Sequence, residues 1–102
     1  MTQLEKEIEA KLVETIKRRG GMCLKLVCPG WAGVPDRICL LPRGRVVFAE
    51  LKRPKMGQIS ARQEWWRKKL QSLGFSHYYI YNATDVVCLE LLLIAEDAEA
   101  GR

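Results

Sequence analysis

Arg45-Val46-Val47-Phe48-Ala49-Glu50-Leu51-Lys52 decides how this chain is read. The run is rich in β-branched and aromatic residues, the composition of a strand. Alternate strand side chains share a face. Glu50 and Lys52 therefore point the same way, while Leu51 points away and leaves its backbone carbonyl near them. One hairpin upstream, Gly33-Val34-Pro35-Asp36 brings an aspartate to the opening of the preceding strand. An aspartate, a glutamate and a lysine converging at the end of a hairpin form an acidic metal site with a basic partner. Carboxylate oxygens bind magnesium, and a lysine can steer or deprotonate a water or steady a charged phosphate. That set suits phosphodiester hydrolysis. Each fragment alone says little, since Pro-Asp is a common turn start and Glu-x-Lys is common on exposed strands. Their order on adjacent strands is what carries the argument.

The rest of the chain supplies a frame for that hairpin. Leu4, Ile8, Leu12, Val13 and Ile16 recur at helical spacing and predict a helix over 2–19, capped by Thr2 and ended by Gly20-Gly21. Met22 to Val27 reads as a short strand, and Cys28 to Gly33 as a loop punctuated by Pro and Gly. Asp36 to Leu41 and Arg45 to Lys52 pair across Pro42-Arg43-Gly44. Ser60 caps a helix running to Leu73 and closed by Gly74; His77 to Tyr81 is a strand; Thr84 caps a last helix ending near Ala95, with a frayed tail over 96–102. The order αβββαβα predicts an α/β (α+β) domain, a mixed sheet flanked by helices.

At 102 residues the chain is one domain, 1–102. Its net charge of +5 and pI of about 9.2 suit a polyanionic partner without proving one. No run approaches the roughly 20 apolar residues of a membrane span, and Met1 to Lys6 lacks the apolar core of a signal peptide. A cytoplasmic protein is expected. The cysteines form no C-x-x-C pair and His77 is the single histidine, so a structural zinc site is not expected. Cys23, Cys39 and Cys88 lie among apolar residues and read as small core hydrophobes.

Gly33-Val34-Pro35-Asp36 followed by Glu50-Leu51-Lys52 resembles the PD-(D/E)xK nuclease superfamily, and more narrowly its virus-type replication-repair nuclease (VRR-NUC) family. The resemblance runs from about Glu5 to Val87. It includes the leading helix, Lys25-Leu26-Val27, the glycine-proline loop before Asp36, and Ser60-x-x-Gln63 after the lysine. It implies a restriction-endonuclease-like fold and hydrolysis by direct attack of water. Asp36, Glu50 and the Leu51 carbonyl would hold Mg2+, with Mn2+ able to substitute, and Lys52 would position or activate the water. Small members of the family look like homodimeric Holliday-junction resolvases of DNA repair and recombination, in a bacterial or phage-infected cell.

Several further residues have two readings each. Glu9 falls on the apolar stripe of the first helix. It is either a solvated edge residue or, as the resemblance implies, a metal ligand or a group behind the metal; Glu5, a turn earlier, is a weaker candidate. Gln63 interrupts the stripe Ile59, Trp66, Leu70, Leu73. It is either a core amide satisfied by backbone or, by resemblance, a catalytic neighbour of Glu50 and Lys52. Lys25 is either the exposed side of an edge strand or a phosphate contact. Arg53 and Lys55, with Arg62, Trp65 and Lys69, make a plausible DNA footprint. Trp65 and Trp31 could stack on bases, meet a partner subunit, or simply be partly exposed.

The expected activity is a magnesium-dependent endonuclease acting on branched DNA as a homodimer. Val86 to Ile94, apolar on more than one face, would supply the subunit interface. The alternatives are a nuclease for flaps, nicks or linear duplex, and a basic DNA-binding module without catalysis. Phosphate contacts carry no sequence information. Changing Arg53 or Lys55 to Ala should therefore weaken binding to all DNA sequences alike and flatten its salt dependence. Affinities measured over a salt series on two unrelated duplexes check this; a loss confined to one sequence would instead mean base reading.

Overall fold

The computed structural model describes residues 3–52 and 58–101. Thr2, Arg53 and Lys55 lie outside the described residues. In chain order the elements are α1 (Gln3–Arg18), β1 (Met22–Lys25), β2 (Arg37–Leu41), β3 (Arg45–Leu51), α2 (Ala61–Ser72), β4 (Ser76–Ile80) and α3 (Ala83–Ala100). The strands form one mixed sheet in the order β1-β2-β3-β4. The first two pairings are antiparallel and β3 with β4 is parallel, as an α2 crossover requires. The sheet flanked by helices that the sequence predicts is the observed fold.

Each helix end has a local cause. Gly20 adopts φ +83, and the Gly21 N–H donates to the Ile16 carbonyl, closing α1 in a left-handed cap. A side chain on Gly21 would press on the Leu40 carbonyl, so the chain enters β1 without one. Arg43 and Gly44 both take left-handed backbone and turn the β2–β3 hairpin. Ser60 caps α2, as expected, in a full capping box with Gln63.

The two sheet faces differ in chemistry. On one, α1 and α3 bury Ile8, Leu12, Ile16, Val86, Leu89 and Leu93 against Cys39, Leu41, Val47, Ala49 and Ile80. On the other lies α2, which contributes only Leu70 to the buried set. That second face carries Phe48 and Glu50 of β3 beside His77 and Tyr79 of β4, paired Phe48 to His77 and Glu50 to Tyr79. No helix among the described residues is long and apolar enough to cross a membrane.

Four expectations are corrected. Asn82, not Thr84, caps α3: its Oδ1 accepts the Asp85 N–H at 2.9 Å, and helix begins at Ala83. The tail does not fray at Glu96, because helix continues to Ala100. Arg45 holds Glu96 at 3.1 Å, and Arg43 holds Asp97 at 2.6 Å. Cys88 is exposed rather than in the core, since α3 turns that side away from the sheet. Ile59 and Leu73 are also exposed: each lies beyond an end of α2, where the helical stripe no longer faces the sheet.

Leu12 is fully buried between the two helices and the sheet. Leu12→Ala removes its packing and leaves a cavity, so unfolding by urea should show a loss of about 2–5 kcal/mol. A loss below ~1 kcal/mol would contradict this core.

Candidate active site

Strand register brings the acidic pair together. Arg37 pairs with Ala49, so Asp36, one residue earlier, falls opposite Glu50 and on the same face. Asp36 is exposed, and its Oδ2 accepts the Leu51 N–H at 2.9 Å. Glu50 is only 4 % exposed. Burial, and then the negative charge of Asp36, push its carboxyl up to about 7, with Lys52 opposing. Lys52 follows the end of β3, where its N–H donates to the Ile80 carbonyl at 2.9 Å and holds the residue in line with the strand.

Gln63 joins these groups. Its Nε2 donates to Glu50 Oε1 at 2.9 Å, and its Oε1 accepts from Lys52 Nζ at 2.6 Å. The same Oε1 accepts the Ser60 N–H at 3.0 Å, while the Gln63 N–H donates to Ser60 Oγ at 3.1 Å. One residue is at once the third position of a helix cap and the bridge between an acid and a base. The amide cannot flip without losing three partners. Lys52 Nζ also donates to the Gln58 carbonyl at 3.0 Å.

A second network, not foreseen from the sequence, holds α2 over the sheet. Tyr79 lies beside Glu50 across the parallel pair and donates its hydroxyl to Glu64 Oε2 at 3.0 Å. Arg67 donates to Glu64 Oε1. Arg67 and then Tyr79 hold Glu64 down at about 2, and burial with Glu64 pushes Tyr79 up to about 12. His77 packs edge-on against Tyr79, and burial lowers its pKa, as a structural residue would show. The Glu64–Arg67 spacing was visible in the sequence, but Tyr79 enters only through strand register.

The other candidates are placed as follows. Glu9 forms an ion pair with Arg37, whose side chain points to the α1 face and also reaches the Cys23 carbonyl at 3.5 Å. Among the described residues no three His, Cys, Asp or Glu side chains gather as a metal cluster, so Glu9 does not join Asp36 and Glu50. It buttresses the residue after Asp36 instead. Glu5 is partly buried on α1. Lys25 is exposed at the open edge of β1, and strand alternation puts it on the α1 side. Arg62 and Trp65 are exposed on α2 near Gln63. Leu51 contributes its N–H to Asp36, which turns the backbone at that residue toward the site.

No family model matches the chain. A solved structure described as a "VRR_NUC domain" superposes with a TM-score of 0.79 over 86% of this chain and 95% of that one, at 24% identity. Over 50 residues the chain is 46% identical to "Putative nuclease p44" of Acyrthosiphon pisum secondary endosymbiont phage 1. That match covers 49% of this chain and 54% of the phage protein, so the chain spans about half the length of that relative. The fold is therefore that of a VRR_NUC domain, the fold that the resemblance read from the sequence implies.

Glu50 makes the site sensitive to pH without any ligand. Its carboxyl titrates near 4.5 when unfolded and about 7 when folded. The folded state thus holds the extra proton in between. The stability this contributes is present below about 4.5 and is lost as pH rises through about 7. In chelator, Glu50→Gln should melt above the wild type at pH 8, and the gap should close by pH 5. Thermal melts at both values check this; a variant melting lower at pH 8 would refute the burial argument.

Proposed function

We propose that this chain is a divalent-metal-dependent endonuclease that hydrolyses DNA phosphodiester bonds. The observation that carries this is the bridge of Gln63 between buried Glu50 and Lys52, with Asp36 opposite, on a VRR_NUC fold. Asp36 and Glu50, with the Leu51 carbonyl, would hold Mg2+, or Mn2+ in its place. The donor set fits a hard cation: two carboxylates face each other, and the buried one is short of compensating positive charge. When bound, such an ion supplies Lewis-acid stabilisation of charge developing on the phosphate.

The side chains divide the remaining work. Lys52, anchored by the Gln63 Oε1, orients the attacking water as an ammonium or, as the neutral amine, takes its proton. Gln63 keeps Glu50 and Lys52 at a fixed separation, and the Ser60 cap keeps the amide in its orientation. The Glu9–Arg37 pair steadies the strand behind Asp36. Water attacks directly; the mechanism uses no covalent nucleophile. Lys25, Arg53, Lys55, Arg62 and Trp65 contact the DNA, with the basic groups on phosphates.

The substrate we favour is branched DNA, cut by a homodimer in the cytoplasm of a bacterial or phage-infected cell. Val87, Leu91, Leu92 and Ile94 of α3 are 41–60% exposed, an apolar surplus that a two-fold mate would cover. Paired active sites would then cut opposed strands of a four-way junction.

Cleavage of a labelled four-way junction, a flap and a linear duplex, with and without Mg2+, tests the reading. Asp36→Asn and Lys52→Ala should each lower cleavage by orders of magnitude while DNA binding persists, and excess chelator should abolish it. Lys52→Ala cutting at the wild-type rate would refute the mechanism. A monomer mass by light scattering at micromolar concentration, with equal cutting of junction and duplex, would refute junction resolution and leave the nuclease standing.

A further inference from the structure

Three tryptophans meet where the loop before Asp36 crosses α2. Trp66 is the fixed member: its Nε1–H donates to the Ala32 carbonyl at 3.0 Å. Trp31 packs against it edge-to-face, with ring centroids 5.8 Å apart, and Trp65 also packs edge-to-face against it at 5.2 Å. Gly33 lets the loop descend this far. It takes φ +80, and a Cβ there would collide with the Arg62 side chain and press on its backbone. Both indoles lean on Trp66, yet Trp31 stays 59% exposed and Trp65 47% exposed.

Position and charge point to an occupant. Asp36 lies three residues after Gly33, and Gln63 lies three residues before Trp66, one turn along the same helix. The aromatic ridge therefore adjoins the candidate active site from two directions. Arg62 borders it, and Lys68 and Lys69 are exposed on the same helix. Glu64, the acidic residue of that helix, is neutralised by Arg67. The exposed aliphatic surface of the last helix is a separate feature. Flat aromatic faces bordered by cations suit a nucleobase that has left its stack, with its phosphate on the cation. Bases inside a duplex offer no free face.

We propose that Trp31 and Trp65, braced by Trp66 and flanked by Arg62, form a stacking platform for unpaired bases next to the scissile phosphate. The substrate class is then DNA with bases unstacked at a branch or single-stranded segment. This rests on the nuclease reading above and narrows its substrate. Trp66 is a positioning residue: it holds the other two at the right height.

The test is binding in chelator, where no cleavage intervenes. Fluorescence anisotropy compares a labelled oligothymidylate with a labelled linear duplex for the wild type and for Trp31→Ala, Trp65→Ala and Trp31→Phe. Each alanine variant should lose about 5-fold to about 150-fold in affinity for the oligothymidylate, the effect of removing one stacked base contact. The loss on duplex should be smaller. Trp31→Phe keeps a π-face and should recover most of the affinity, which a folding defect would not allow. Equal losses on both DNAs, or none on the oligothymidylate, would overturn the platform. A lower oligomeric mass of Trp31→Ala by light scattering would overturn it too, in favour of a protein contact. A wild type that cuts duplex with no preference for unpaired bases defeats the platform alone, whereas one that binds no DNA defeats the nuclease reading as well.

Discussion

Everything at this site depends on one buried carboxylate. Glu50 sits under α2 at 4 % exposure, where a charge is expensive unless it is paired or hydrogen-bonded. Gln63 answers that need from above, and Asp36 aggravates it from the side. The helix cap, the crossover and the Tyr79–Glu64–Arg67 network all act to keep the Gln63 amide over Glu50. A buried carboxylate beside a second carboxylate has its charge only partly compensated by the Gln63 amide and by Lys52.

The sheet separates stability from function. Its α1–α3 face is a continuous apolar layer with Leu12, Ile16, Val86 and Ala49 sealed from solvent. Its α2 face is polar, aromatic and thinly covered, with Leu70 the buried apolar side chain of that helix. Because alternate residues of β3 serve opposite faces, Val47, Ala49 and Leu51 hold the core while Phe48 and Glu50 face the site. A shift of one residue in register would exchange the two sets and lose both.

Local signals are legible in this sequence, and contacts between distant residues are not. The strand run at Arg45, the Ser60 cap and the glycine stops needed only neighbours in sequence. Helix α3 is capped at Asn82 rather than at Thr84: both residues are good caps, and the extended backbone at Asn82 is the one that caps. The order of the tail is not legible locally because its partners, Arg43 and Arg45, lie about fifty residues upstream. Glu9 was rightly placed near the buried stripe, but its ion pair with Arg37 depends on how α1 crosses β2.

The sequence by itself determined the order of elements, the composition of each strand and the candidates Asp36, Glu50 and Lys52, because periodicity and short motifs are local properties of the chain. Only the tertiary structure decided that Gln63 bridges the acid to the base, that Tyr79 stands beside Glu50, and that Trp31 and Trp65 flank a common tryptophan. Those facts follow from the parallel register of β3 with β4 and from the path of the loop over α2. Register and crossing geometry are set by the packing of the whole domain, and no window of sequence contains them.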